Sequence, residues 1–198
     1  MKILEIGCGI GVLTWLLSKK ITQGYIEAVD FSQKSVDYAT TNNRQPNVMF
    51  TCSDILQYEP QQTPFGYILA FDVLEHIPTE QHAALFEKIN RWMHPGSKFF
   101  INLPNPGYIL YDRINNPDEL QEIDQPVYFH SLAENLRKHD LHITSMETYS
   151  IWVKNDYQFY IVEKNIPFEA NKLKLSLFDK AVNRLTMAYR KIRYNYPQ

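Results

Sequence analysis

Apolar residues along this 198-residue chain fall into short strand-length runs, with stretches of 3.6-residue periodicity between them. Residues 1–6 form the first run and break at Gly7-Cys8-Gly9-Ile10-Gly11, after which Val12 to Leu17 resumes with helical spacing. Further strands are predicted over 25–30, 47–52, 67–71 and 97–103, and a last pair over 142–150 and 157–163. Helices are predicted over 33–41 behind an N-cap at Ser32, and from a cap at Thr79 to Trp92, where Ala84, Leu85, Lys88, Ile89 and Trp92 share related faces. A third begins at Ser131, which with Glu134 has capping-box spacing. The regular alternation predicts an α/β fold: a Rossmann-like, seven-stranded, mostly parallel sheet with helices on both faces and an antiparallel last strand.

Composition narrows the class. Hydrophobic residues make up 44% and charged residues 21%, so a packed core is expected and wholesale disorder is excluded. The net charge of -2 gives no reason to expect nucleic acid. That charge is uneven: from residue 170 on, seven Lys/Arg face Asp179 alone, a balance of +6 against -8 for the remainder. Cys8 and Cys52 do not read as a disulfide framework, and the start carries no signal-peptide pattern, so a cytoplasmic location is expected.

The glycine turn holds the first candidate chemistry. Glycines there admit backbone angles closed to other residues and allow a ligand to approach the main chain, while the helix behind them offers unpaired N–H groups. Val12 stands where a dinucleotide fingerprint would place its third glycine. Asp30 ends the second strand 19 positions after Gly11, where a carboxylate accepts both ribose hydroxyls of a nucleoside, and Phe31 beside it offers a surface for an adenine ring. Asp72, Glu75 and His76 follow the fourth strand, on the sheet edge where open α/β folds bind ligands.

In that order, Glu5-x-Gly7-x-Gly9-x-Gly11 with its downstream acidic residues resembles motif I of the class I S-adenosylmethionine (SAM) methyltransferases. Asp72-Val73-Leu74-Glu75-His76 resembles the "V-L-E-H" stretch of the small-molecule group that includes the ubiquinone O-methyltransferases. Met93-His94-Pro95-Gly96-Ser97 is similar to that group's "L-H-P-G-G". The resemblance covers about residues 1–165. It implies transfer of a methyl group from SAM, with S-adenosylhomocysteine as product, to an O or N atom of a small-molecule acceptor; a sugar or lipid-linked glycan suits the tyrosines and the tail. It implies a cofactor site built from Glu5, Gly7, Cys8, Gly9, Gly11, Asp30, Phe31, Ser53, Asp54, Ile55, Phe71 and Asp72, with Asp54 accepting from the adenine amino group. Such relatives usually carry a helix before the first strand that helps cover the cofactor; with the sequence starting inside that strand, a truncated chain and a reduced natural form are the two alternatives.

Three readings of Asp72, Glu75 and His76 stay open: His76 as general base, the three as a divalent-cation site, or a group that orders the site by hydrogen bonds. No metal ligand is expected among the candidate site residues. His130 is the second base candidate. Residues 104–130 are a long interval that reads as a lid or inserted helical piece, with Asn105, Tyr108, Tyr111 and Arg113 as acceptor-binding candidates and an acidic stretch at Asp118, Glu119, Glu122 and Asp124. His82 and His94 read as solvent or capping residues. Leu136 to Leu141 stands where relatives have "L-x-x-A-G-F", and its missing glycine predicts another turn type. Residues 166–198 form a basic tail with Leu173, Leu177, Ala181, Leu185 and Ala188 near one helical face. Docking on its own domain is the commoner use of such a helix; peripheral membrane contact through 172–193 is the other. The readings set against a methyltransferase are a SAM-binding partner subunit without transfer activity and an NAD-type oxidoreductase, against which Val12 and Asp54 argue. The sequence leaves the oligomeric state open.

Overall fold

A computed structural model describes residues 1–121, 123–167, 170 and 176–194. They divide into two units, Met1–Ile166 and Pro167–Gln198. Glu122, Lys172, Leu173 and Lys174 lie outside the described residues.

The first unit is built on strands β1 (Lys2–Ile6), β2 (Tyr25–Asp30), β3 (Val48–Cys52), β4 (Phe65–Phe71), β5 (Met93–Pro104), β6 (Leu141–Tyr149) and β7 (Tyr157–Lys164). They form one sheet in the order β3-β2-β1-β4-β5-β7-β6. All neighbouring pairs are parallel except those that β7 makes with β5 and β6. The connecting helices are α1 (Val12–Lys20), α2 (Gln33–Asn42), α3 (His82–Trp92), α4 (Pro106–Asn115) and α5 (Phe129–Lys138).

Strand alternation sorts the core. Leu4, Ile6, Ile68, Ala70, Phe99 and Ile101 point to one face, where Leu85, Phe86 and Ile89 of α3 and Leu132 and Leu136 of α5 cover them. Ile3, Ile26 and Leu69 point to the other, against Leu13 and Leu17 of α1. The strand order reverses between β1 and β4, which opens a crevice beyond their carboxyl ends.

Several local expectations are corrected. Thr79 opens a separate 3₁₀ turn (Thr79–Gln81) before α3 and makes no side-chain cap. Helix α5 starts two residues before Ser131, at Phe129, with Tyr128 as N-cap and no side-chain cap; Leu132 N–H bonds to the Tyr128 carbonyl instead. Ser32 does cap α2, accepting from Ser35 N–H. His82 is buried, not solvated: its Nε2 lies 2.9 Å from both the Leu74 and Ile77 carbonyls, whose fixed positions only tertiary structure supplies. Asp140 takes the left-handed conformation itself, φ 55°, so the turn before β6 keeps a glycine-like geometry without glycine. Met93 to Gly96 bulges at the start of β5, pinned by buried Ser97, whose hydroxyl donates to the Phe65 carbonyl at 2.6 Å. The long interval after β5 is the helix α4 and a 3₁₀ turn, Pro117–Glu119.

The second unit contains α6 (Leu177–Tyr194), amphipathic with Leu177, Ala181, Leu185 and Ala188 on one stripe and Lys180, Arg184, Arg190, Lys191 and Arg193 around it. Among the described residues, no helix is long and apolar enough to cross a membrane.

Candidate active site

The turn between β1 and α1 is held from inside the sheet: Gly7 and Cys8 N–H both donate to the Val29 carbonyl of β2, at 2.8 and 3.1 Å. Gly7, Gly9 and Gly11 all take positive φ. Their surroundings differ. A methyl group on Gly7 would run into Val73, and one on Gly11 would come within 3.0–3.2 Å of Ala39 and the Phe50 ring. At Gly9 it would meet nothing within 4 Å. Neighbouring side chains therefore exclude a Cβ at Gly7 and crowd one at Gly11, and of the three only Gly9 has room for one.

Asp30 meets Gly9 from the end of β2. Its carboxylate accepts from Gly9 N–H at 2.8 Å and from Ser32 N–H at 2.9 Å, one on each oxygen. Phe31 is exposed beside it, and Cys52 pairs with Asp30 across to β3. Asp54 starts the next turn, accepting Leu56 N–H at 2.9 Å while exposed; Ile55 is buried behind it and the Ser53 hydroxyl donates to the Asp54 carbonyl. Glu5 is buried, and Thr14 Oγ1 donates to it at 2.6 Å, so its carboxyl anchors the first turn of α1. Burial, offset by that hydrogen bond and reinforced by the Asp30 charge, pushes Glu5 up to about 7. Burial and the charges of Glu5 and Asp30 hold the Cys8 thiol protonated.

Beyond β4 the chain turns sharply. Asp72 sits at φ 54°, a strained value for an aspartate, with its N–H on the Asn102 carbonyl at 2.9 Å. Leu74–His76 is one 3₁₀ turn. His76 Nδ1 lies 2.7 Å from the Ile123 carbonyl and 3.1 Å from Asp124 Oδ1. A carbonyl only accepts, so Nδ1 carries a proton, and in the neutral ring Nε2 presents its lone pair. Glu75 is buried, 3.9 Å from that Nε2; its carboxyl lies over its own amide and that of Val73 without a well-formed hydrogen bond. Burial, with the charges of Asp72 and Asp124, raises Glu75 to about 8. Among the described residues, no group of three or more His, Cys, Asp or Glu side chains is arranged to hold a metal ion.

The antiparallel hairpin brings residues that the sequence reading missed. Because β7 runs opposite to β5, the β6–β7 turn returns to the carboxyl edge of the sheet. Tyr157 lies near enough to Asp72 to feel its charge, and the Tyr149 hydroxyl donates to Asn102 Oδ1 at 2.7 Å. Phe71 of β4 packs edge-on to Phe159 of β7. The signal was available: an antiparallel last strand must put the residues flanking its turn, Tyr149 and Tyr157, at the ligand edge.

The remaining candidates are spread more widely. Asn105 caps α4 through Gly107 N–H and donates from Nδ2 to the Asn155 carbonyl, which ties α4 to the hairpin turn. Tyr108 is half-buried and Tyr111 exposed on that helix. Arg113 donates to the Asp124 carbonyl and lines a cavity of about 480 Å³ with Thr79, His82, Gln125, Tyr128 and Ser131. That cavity shares no residue with the glycine turn or with the Asp72–Tyr157 pair. His130 is exposed in the first turn of α5, its ring stacked on Tyr128 at 5.7 Å.

Residues 3–96 match the family described as methyltransferase domain. The chain is 28% identical over 111 residues to a ubiquinone biosynthesis O-methyltransferase of Coxiella burnetii, covering 55% of this chain and 46% of that protein. Its structure is similar to an S-adenosylmethionine-dependent methyltransferase of Clostridium acetobutylicum, with a TM-score of 0.67 at 16% identity over 83% of this chain and 84% of the other. It is also similar to the magnesium protoporphyrin IX methyltransferase of Synechocystis with bound S-adenosylhomocysteine, with a TM-score of 0.65 at 16% identity over 82% and 74%. In sequence motifs and in fold the protein is similar to the class I SAM-dependent methyltransferases, whose cofactor is SAM. It spans less than half the length of such curated relatives.

The residues present fit that cofactor. The open side of Gly9 leaves room for a ligand against the main chain, and the Asp30 carboxylate, already oriented by two N–H groups, retains lone pairs for hydroxyls.

Proposed function

We propose that the protein transfers a methyl group from SAM to an oxygen or nitrogen atom of a small-molecule acceptor. One observation carries the reading: of the three glycines in the turn, only Gly9 has room beside its Cα for another group, and its N–H is held by the Asp30 carboxylate at the end of β2. In this reading Asp30 binds the ribose, Asp54 and Phe31 receive the adenine, and Phe71 and Asp72 border the methyl-donor end. When bound, SAM supplies a methyl group already activated on a sulfonium. The chain's own work is alignment and proton removal. His76 fits the second task, because the Ile123 carbonyl holds Nδ1–H and leaves the Nε2 lone pair for an acceptor proton. His130, exposed beside Tyr128, is the alternative base.

A sugar or lipid-linked glycan is the acceptor we favour, with Asn105, Tyr108, Tyr111 and Arg113 contributing from α4 and the 480 Å³ cavity. The domain plan of this reading is a methyltransferase domain over 1–165, with 104–130 over the acceptor site, and a basic tail over 166–198. A cytoplasmic location suits the two free cysteines. Peripheral contact with anionic lipid through 172–193 is supported by the basic, amphipathic α6.

Calorimetric titration with SAM, S-adenosylhomocysteine and NAD, on wild type and Asp30→Ala, tests the reading. Micromolar binding of the first two, weakened by the substitution, is expected. NAD binding in their place would sink it. SAM binding with no transfer to any acceptor would favour the partner-subunit alternative.

A further inference from the structure

On the reading just proposed, His76 takes the acceptor proton at Nε2. Its other ring nitrogen meets two residues that are neighbours in the chain, the Ile123 carbonyl at 2.7 Å and Asp124 Oδ1 at 3.1 Å. Neither belongs to the sheet. Both come from the segment after α4 and its 3₁₀ turn, which returns to the end of β4.

Asp124 is itself held in place. Its Oδ2 accepts from Gln121 N–H at 2.7 Å, while Oδ1 faces the imidazole. The backbone around it is fastened on two sides. Arg113 of α4 donates to the Asp124 carbonyl. Gln125 N–H donates to the Glu75 carbonyl at 2.9 Å, and the Gln125 side-chain oxygen accepts from Thr79 N–H at 3.3 Å. The carboxylate is thus in position before any proton moves.

The consequence is electrostatic. When Nε2 takes a proton, the acceptor's O–H or N–H bond breaks and its electron pair stays on the acceptor atom. The ring then holds two protons and one positive charge. The side chains of His76 and Asp124 are only 23% and 10% exposed, so water screens a charge pair between them weakly. Two other carboxyls face the ring. Glu75 lies 3.9 Å from Nε2, but burial raises it to about 8, so near neutral pH it is mostly uncharged. Asp72, beyond β4, is coupled to the ring through its charge. Among the described residues, Asp124 makes the shortest carboxylate contact with the imidazole. We propose that Asp124 is a positioning residue for the methyl transfer: with the Ile123 carbonyl it fixes His76 as the Nδ1–H tautomer, and it supplies the counter-charge of the imidazolium.

Nitrogen NMR of isotope-labelled histidine in the S-adenosylhomocysteine-bound protein tests this without an acceptor, with His76→Gln identifying the signal. The neutral wild-type ring should carry its proton on Nδ1. Asp124→Asn keeps an oxygen for Gln121 N–H and should weaken proton binding at Nε2 about tenfold, which moves the titration of that signal by about one pH unit. Asp124→Glu should keep most of the wild-type proton binding, and S-adenosylhomocysteine affinity should be the same in all three. A neutral wild-type ring protonated on Nε2 overturns the proposal, as does unchanged proton binding in Asp124→Asn. Should that variant fail to fold, Asp124→Ser is held to the same criterion. Failure of S-adenosylhomocysteine to bind is the failure of the cofactor reading, and the ligand-free protein, titrated in the same way, then decides by the same outcomes.

Discussion

The two halves of the sheet edge are built by different means. At the ends of β1, β2 and β3 the arrangement is mostly backbone: three positive-φ glycines set the turn, the Gly7 and Cys8 N–H groups donate to the Val29 carbonyl, and those of Gly9 and Ser32 donate to a single side chain, Asp30. At the ends of β4, β5, β6 and β7 it is made of side chains from four separate strands, with one buried carboxyl, Glu75, left short of partners. A backbone cradle is insensitive to everything but glycine and the strand-end acid, so it suits a cofactor that never changes. A side-chain cluster can be altered one residue at a time without disturbing the sheet, so it suits an acceptor that does.

The largest effect should separate chemistry from binding. His76→Ala should lower kcat by about 10²- to 10⁴-fold, the usual worth of a positioned general base, with SAM affinity unchanged. The loss should shrink at high pH, where hydroxide competes as a base. An unchanged kcat would move the role to His130 and leave His76 as an ordering residue.

Next is the cofactor half. Asp30→Ala should weaken SAM by about 100-fold, about 2.7 kcal/mol, because two charge-assisted contacts to hydroxyls and the pin on Gly9 N–H are lost together. The glycines sharpen the point. Gly7→Ala combines a positive φ with a collision against Val73 and should cost about 2 kcal/mol or more of folding stability. Gly9→Ala meets no neighbour and should cost about 1 kcal/mol in stability, yet abolish measurable SAM binding. Thermal melts paired with titrations read both.

That the glycine turn and Asp30 come together was legible in the sequence for a physical reason. The information is local: a strand, three glycines and an acid 19 positions on are all that the geometry needs. The alternation of strands and helices likewise carried the sheet, including the antiparallel last strand. The acceptor half was legible only at Asp72, Glu75 and His76, which share one short stretch. Tyr149 and Tyr157 matter because the hairpin folds back beside β5, and Asn102 because Tyr149 reaches it across 47 residues of chain. The caps failed for a related reason. Thr79 and Ser131 have the right chemistry, but Pro78 and Tyr128 fix where the turns begin.

The smallest effect tests whether the cofactor half is as relaxed as its hydrogen bonds suggest. Glu5 titrates near 7 when folded against 4.5 as an ordinary glutamate, so the folded state holds a proton that the unfolded chain releases between these values. A raised carboxyl makes stability fall as pH rises from about 4.5 to about 7, with the loss complete above that. Glu5→Gln keeps an oxygen for the Thr14 hydroxyl and removes the ionisation. It should therefore leave stability at pH 4.5 close to wild type and raise it at pH 8 by about 1–2 kcal/mol, below the ceiling of about 1.4 kcal/mol per pH unit over this interval. Urea denaturation at the two pH values measures the difference. A gain of the same size at both would mean that packing, not the proton, is what the glutamine changes. A loss at pH 8 would mean that the ionised carboxylate is wanted under the glycine turn, and that the cofactor half stores strain after all.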